Sequence, residues 1–549
     1  MPKRRHEDLS ATFPPLKRGH FISIISCLSD ELLLHILSFL PINSLIVCQQ
    51  LSCRFKALAE DSEIWKRHYY NRWIRPRLAN MRRTMLSRPE VHYSPKVSTW
   101  LDNGHLANDG RTLNWKDQYR LRHNWSRGIC RVTTVELSQP SARPALVAFC
   151  AGIIFTFDWD CRLRARSIMN SACYLSEISL PENRLHSALP TTLTAMKGPL
   201  PNRIEVAVGF EDGYFVSYDF DMVSSPLEFR TSCAGSTSAG ITAMASCYPY
   251  ILLTSDQKLL SLFNIIKGCD ARGHLLPGKP VLLSCLEADS TFKPMSISVR
   301  SAGSDIISSI VYSFYHVGCG WSLGIQELHF SSTDSRQKDS RLTTTVDSQY
   351  GLSPPLGHGY PSKGNAWRET NSKTGSCTRP AEPSIYHREA PTSVSYSHPY
   401  LITSHTDNTL TVYLVVSSSA GLYIKGAQRL WGHTSSVSAV QVSDRGKAIS
   451  VSSRGDEVRV WDLEDLVSAF GKQRVRRHGM SIRVSPGNRQ SDNDKPRPNF
   501  PESNGLSKSI EVQRHVPDIS GCIGFDAQCV LLLRGKEHDG QMLECYDFT

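Results

Sequence analysis

Across its 549 residues the sequence has no Cys-x-x-Cys pair and no Cys/His cluster at metal spacing, although it carries 16 cysteines. Zinc centres and disulfide frameworks draw on such spacings. No metal and no cofactor is therefore expected, and the thiols read as reduced and mostly buried in a cytosolic or nuclear protein. Also missing are a Gly-x-Ser-x-Gly elbow, a phosphate-binding P-loop and a His-Glu-x-x-His pair. No catalytic residue is assigned, and an enzyme has no motif in its support. Long apolar runs are absent too. The most apolar stretch, residues 21–40, is broken by Asp30, Glu31 and His35, so neither a membrane span nor a cleavable leader is expected. The sequon Asn124-Trp125-Ser126 then reads as chance.

Charge is present but unevenly placed. The net charge is +11, and residues 1–128 carry 21 Lys/Arg against 11 Asp/Glu. Residues 471–517 carry 10 against 4, which leaves −5 on the rest of the chain. That balance argues against a nucleic-acid surface in the larger, later part. At the start, Lys3-Arg4-Arg5 and Lys17-Arg18 lie in a polar tail expected to be disordered, and they have the form of a bipartite nuclear import signal.

Residues 28–65 organise the remainder. Ser29 stands at an N-cap position, and Asp30 and Glu31 put negative charge in a first helical turn. Leu32, Leu33, Ile36, Leu37 and Leu40 recur at helical spacing until Pro41 stops the run. Asn43 or Ser44 can cap a second helix carrying Leu45, Cys48, Leu51, Phe55 and Leu58. Consecutive leucines at 32–34 point three ways round a helix, so an internal core cannot cover them all and some surface awaits a partner.

With its acidic first turn, leucine ladder, Pro41 and closing Trp65, this stretch resembles an F-box, the motif that docks a substrate receptor onto the Skp-family adaptor of SCF ubiquitin ligases. One departure is Ser29, where the family usually has Pro after the leucine; a good N-cap stands in its place. The resemblance implies that Leu28, Leu32, Ile36, Leu37, Leu40, Pro41, Leu45 and Leu51 dock the adaptor or directly support that docking.

Past the motif, the arginines from Arg72 to Arg88 read as a solvated helix face. A basic helix opening at Asn114 carries Trp115, Tyr119 and Trp125 and is expected to be clamped between two domains. Beyond residue 130 the pattern turns to short alternating strands. Residues 430–463 begin with Gly432-His433 and end with Trp461-Asp462. This looks like a WD repeat. The resemblance implies that His433, Trp461, Asp462 and a serine, Ser450 or Ser452, hold the blade together. The matching turn aspartate is out of place, because Gly455-Asp456 appears in inverted order. Degenerate copies lie at 204–220, 241–265 and 391–416, with weaker ones at 145–159, 295–330 and 519–548. That makes seven. The last is expected to close the ring, since a propeller leaves an open seam unless both chain ends complete one blade.

The expected architecture is thus a basic tail (1–20), a helical F-box (21–70), a helical linker (71–128) and a seven-bladed WD-repeat β-propeller (129–549). Insertions at 331–389 and 470–517, rich in Ser, Pro and basic residues, are expected to be disordered. The expected function is substrate recognition in an SCF-type ligase, without catalysis. Partners are the Skp-family adaptor, a cullin and RING subunit through it, and a protein substrate on the propeller; no membrane or nucleic acid is expected, and the location is cytoplasm, nucleus or both. Before the blade turn, where some relatives hold phosphate-reading arginines, stand Glu211, Asp256, Thr406 and Arg454. Arg454 alone is a candidate substrate contact, and the degron is expected to be basic, neutral or read by apolar contacts. Two alternatives stay open: an F-box scaffold outside any ligase, and a nuclear RNA-associated propeller.

Overall fold

Alternation of apolar and polar residues past Gly128 is realised, in the computed structural model of the chain, as seven antiparallel sheets. The structure describes residues 25, 28–76, 114–137, 145–157, 161–168, 174–180, 188–200, 202–235, 239–266, 280–288, 292–331, 337–349, 385–418, 421–455, 457–463, 481–486, 519–536 and 540–549. The basic tail, Arg77, Arg82, Arg83, Arg88 and Asp456 lie outside these residues. The chain divides into two units, residues 1–78 with 114–119 and residues 79–113 with 120–549. Among the described residues no helix is long and apolar enough to cross a membrane.

The second unit is a seven-bladed β-propeller, and each of the seven copies read from the sequence forms one blade. Six blades take consecutive strands. In blade 7, Ile519–Phe525, Cys529–Lys536 and Gly540–Asp547 are joined by Ile129–Leu137 from the other end of the unit. Arg131 pairs with Asp547 and Leu137 with Gln541, so backbone hydrogen bonds seal the seam. The core is a ring of apolar clusters between neighbouring blades. Phe155 and Phe157 of blade 1 meet Val206 and Phe220 of blade 2, and Leu137 and Leu543 of blade 7 meet Ile154 of blade 1.

Two segments expected to be structureless contain strands. Gln337–Thr344 is the fourth strand of blade 4, and Ser481–Arg483 is the fourth strand of blade 6. Ser485–Pro486 then runs parallel to Ile129 and Cys130. In blades 4 and 6 the fourth strand is outermost, with one sheet neighbour and an open face, so no apolar alternation is required of it and the sequence pattern does not reveal it.

Blade 6 shows how the sequence holds a blade shut. Trp461 Nε1 donates to Ser450 Oγ at 2.7 Å, and that hydroxyl lies 2.6 Å from His433 Nε2. A hydroxyl that accepts from Trp461 donates its one hydrogen to Nε2, which leaves the histidine proton on Nδ1. Nδ1 faces Glu457 Oε2 at 3.4 Å. Glu457 thus supplies the carboxylate that the displaced turn aspartate left unfilled. It also accepts from Thr434 N at 3.0 Å and from Arg459 at 2.7 Å. Ser450 takes the serine role; Ser452 instead accepts from the Glu457 backbone N–H at 3.1 Å. Asp462 is half-buried and pairs in register with Lys447.

On the face opposite the second-to-third-strand turns, Trp125 caps the closing blade. Its ring stacks on Phe548 at 3.9 Å, its Nε1 donates to Ala527 O at 2.8 Å, and Lys447 Nζ sits 4.3 Å from its centroid. Asn124, the sequon asparagine, donates its amide to Phe548 O at 2.9 Å.

Burial alone would raise the Glu457 pKa, but the Thr434 N–H and the Arg459 guanidinium outweigh it and hold the carboxyl below its ordinary value. Glu457→Ala removes the buried acceptor of the Thr434 N–H and the Arg459 guanidinium, a loss of about 1–3 kcal/mol. A lowered midpoint of thermal unfolding checks this. A carboxyl with a depressed folded pKa stabilises above its unfolded value and ceases to do so as pH falls through the folded one. The stability gap between wild type and Glu457→Gln, measured by denaturant unfolding, should therefore narrow below about pH 4.

Candidate functional site

In the first unit the leucine ladder breaks into short helices: α1 Asp30–Leu37, α2 Ile42–Cys48, α3 Cys53–Ala59 and α4 Ser62–Tyr69, followed by a π-helical turn over Tyr70–Ile74. Ser29 occupies the N-cap of α1 with extended backbone, although its side chain makes no capping bond. Instead Arg54 clamps the entrance, donating to Leu28 O at 2.6 Å and to Asp30 Oδ1 at 2.6 Å. Pro41, rather than Asn43 or Ser44, stands at the N-cap of α2, where its fixed φ suits helix entry. The single second helix expected through Leu58 is two helices. Ser52 caps the new start by accepting from Phe55 N at 3.2 Å, a local bond that competes with continuation.

Aromatic residues tie the unit together. Trp65 is buried and donates Nε1 to Ala59 O at 2.8 Å. Helix α5, Trp115–Arg127, contributes its first turn here, with Asn114 Oδ1 accepting from Lys116 N at 3.1 Å. Tyr119 lies 5.5 Å from Trp65 and 4.7 Å from Trp73, and Trp115 lies 5.6 Å from Tyr69. Arg72, expected on a solvated face, hydrogen-bonds the Tyr119 hydroxyl and sits 4.8 Å over Trp73. Arg72 is exposed, as a solvated face requires, and its guanidinium also lies against the Trp73 and Tyr119 rings. Lys116 reaches Gln49 at 3.0 Å and Glu60 at 2.8 Å.

That core has a definite membership. Leu37 is 2% exposed and Leu45 0%, and Leu33, Ala59 and Ile64 are buried as well. Leu37 and Leu45, expected at or beside the docking surface, are therefore interior supports. Leu28 and Leu40 are half-buried and Pro41 is exposed. Leu32 is 53% exposed, with Ile36 and Leu51 also open to solvent. Sequence reasoning missed three more. Phe39 is 66% exposed, and Ile46 and Val47 are exposed on α2. The spacing Leu32, Ile36, Phe39 is i, i+4, i+7, a legible helical stripe passed over in favour of the more continuous leucines. The result is a set of exposed apolar side chains on helices whose own interior is already filled. Monomeric folds rarely leave such a surface, so its chemistry is that of a helix-in-groove contact.

The blade residues are brought together as described above, while Arg454 stands apart. It is exposed at the turn of blade 6 and makes no hydrogen bond or ion pair among the described residues. Glu211, Asp256 and Thr406 are exposed at the equivalent turns.

Leu37→Ala should cost about 2–5 kcal/mol by leaving a cavity. Leu32→Ala and Ile36→Ala should each stay within about 0.5 kcal/mol. Hydrogen exchange of the α1–α3 amides in the full chain reads the contrast.

Comparison with known proteins gives a consistent result. A family model described as "F-box protein pof12 beta-propeller" matches residues 130–549, and one described as "F-box-like" matches residues 25–71. The F-box protein pof12 of Schizosaccharomyces pombe is 23% identical over 231 residues, which cover 42% of this chain and 42% of that protein. The match thus spans less than half of that relative's length. Among solved structures, the computationally designed Ika8 protein is 12% identical, covers 76% of this chain and 98% of its own, and has a TM-score of 0.36. A chain of the Mitotic Checkpoint Complex is 11% identical, with coverages of 60% and 93% and a TM-score of 0.30.

Proposed function

Starting from the F-box proteins with a pof12-type β-propeller, the family to which this chain belongs, we propose that it is the substrate-recognition subunit of an SCF-type ubiquitin ligase. The observation that carries this reading is the exposure of the stripe Leu32, Ile36 and Phe39 together with that of Ile46, Val47 and Leu51. A Skp-family adaptor covers that stripe and brings the cullin and RING subunit with it, while the propeller holds the protein to be modified. The chain itself does no bond chemistry. It raises the effective concentration of a substrate lysine near an activated ubiquitin, which is catalysis by proximity. The same reading puts the chain in the cytoplasm, the nucleus or both. Its thiols are in keeping with a reducing compartment: Cys48, Cys130, Cys150, Cys319 and Cys545 are among those that are free, and burial pushes Cys150 up to about 11.

Leu32→Asp combined with Ile36→Asp, both at exposed positions, should abolish co-purification of the adaptor while the propeller's thermal unfolding stays unchanged. Adaptor retained by the double variant would refute the docking assignment. Adaptor bound by wild type without any cullin would favour a scaffold outside a ligase.

A further inference from the structure

Blade 4 differs from the rest of the ring. Its second strand, Asp305–His316, has 12 residues, against 5 to 8 in the other six blades. With Gly320–Ser331 it makes a hairpin that outruns its neighbour, because pairing to the first strand of the blade stops at Pro294 opposite Tyr312. On that side no described strand pairs with residues 313–315. The hairpin tip is apolar and uncovered. Val317 is 89% exposed, and Tyr315, also exposed, meets the Trp321 ring edge-on at 6.1 Å.

The tip is continuous with blade 5. Trp321 N donates to His387 O at 2.9 Å, and the neighbouring Tyr315 hydroxyl raises the pKa of the exposed Tyr386. Arg429 Nη2 donates to Tyr386 O at 3.2 Å, and its guanidinium lies 5.8 Å from the ring of Trp431, which is 69% exposed. Beneath the ledge, His387 stacks on His405 at 3.8 Å. Burial holds the two at about 3 and about 4, so the support is neutral and rigid at physiological pH. The ledge's carboxylates are engaged: Glu389 accepts from Thr406, and Asp407 accepts from the backbone and hydroxyl of Thr409. Arg388 is exposed, and no carboxylate pairs with it among the described residues.

We propose that this ledge, formed by Tyr315, Val317, Tyr386 and Trp431 with Arg388, takes an extended, unphosphorylated segment of the protein substrate that sets apolar side chains beside a carboxylate. The assignment rests on reading the chain as a substrate receptor. Exposed aromatics supply large contact area at low entropic cost. The unpaired strand edge offers main-chain hydrogen bonds to an extended chain. A single available guanidinium matches one carboxylate, whereas a phosphate cradle needs several converging cations. Within the ledge Arg429 faces Asp407 at 3.8 Å, which leaves Arg388 as the guanidinium open to a ligand carboxylate.

Full-length chain co-expressed with its adaptor is panned against a phage-displayed library of random peptides. An enriched peptide is then synthesised and titrated by fluorescence polarisation. Enriched peptides should combine aromatic or long aliphatic residues with Asp or Glu. Trp431→Ala and Val317→Asp, at solvent-exposed sites that leave folding intact by circular dichroism, should each weaken binding at least about tenfold. Arg388→Glu should weaken it most at low salt. Three results overturn the proposal: no enrichment over an unrelated propeller, enrichment of basic peptides, or equal affinity for wild type and Trp431→Ala. Adaptor co-purification is scored on the same samples. Its loss in wild type would remove the ligase reading, whereas intact adaptor binding with unaltered peptide affinities would remove the ledge alone.

Discussion

The antiparallel pairing of Ile129–Leu137 with Gly540–Asp547 is the constraint on which the propeller depends. Each blade is a small twisted sheet with too little apolar surface to stand alone, and it is stabilised by the clusters it shares on both sides. Such a ring has no stable partial form with two bare ends. The pairing covers one edge of each of these two strands at once, and the stacked Trp125 and Phe548 rings cover the junction from one side. Everything on the opposite rim, including the strand turns and the ledge of blades 4 and 5, is held in register by that closure.

Two kinds of polar chemistry share the interior. In blade 6, Trp461, Ser450 and His433 form a hydrogen-bonded set, and the Glu457 carboxylate lies 3.4 Å from the far ring nitrogen of His433. In blade 5, His387 and His405 stack with Thr411 and Thr403 beside them, and both rings are kept neutral by burial. The first solution stores an ionised group against donors, and the second avoids charge. Both fix the rim turns at a depth where an unpartnered polar atom would be costly.

Much of this was legible in the sequence, and what was not has physical causes. The acidic helix start, Pro41 and the leucine ladder identify the first unit because capping and periodicity are local properties. The break at Leu51 is hidden, since the apolar spacing runs straight through it and only the Ser52 bond to Phe55 N ends the helix. Which leucines are interior is likewise a matter of packing: Leu37 and Ile36 are neighbours in sequence and opposite in fate. Glu457 was overlooked because a glutamate one residue later, with one more methylene, reaches the place a turn aspartate would hold. Outer strands such as Gln337–Thr344 carry no compulsory alternation. The ledge is least visible of all, since its members come from residues 315–321, 386–388 and 429–431, and only the ring brings them together.

Closure across so long a stretch of chain sets the order of assembly. Residues 129–137 emerge early and find their sheet partner about four hundred residues later, so the first strand of the propeller waits through synthesis of six blades. The entropy of joining such distant ends grows only logarithmically with separation, so the finished ring gives up little stability for its span. The burden is kinetic instead. Until the last hairpin arrives, an apolar strand edge stays open to solvent, and the newborn chain is then the species most in need of a chaperone.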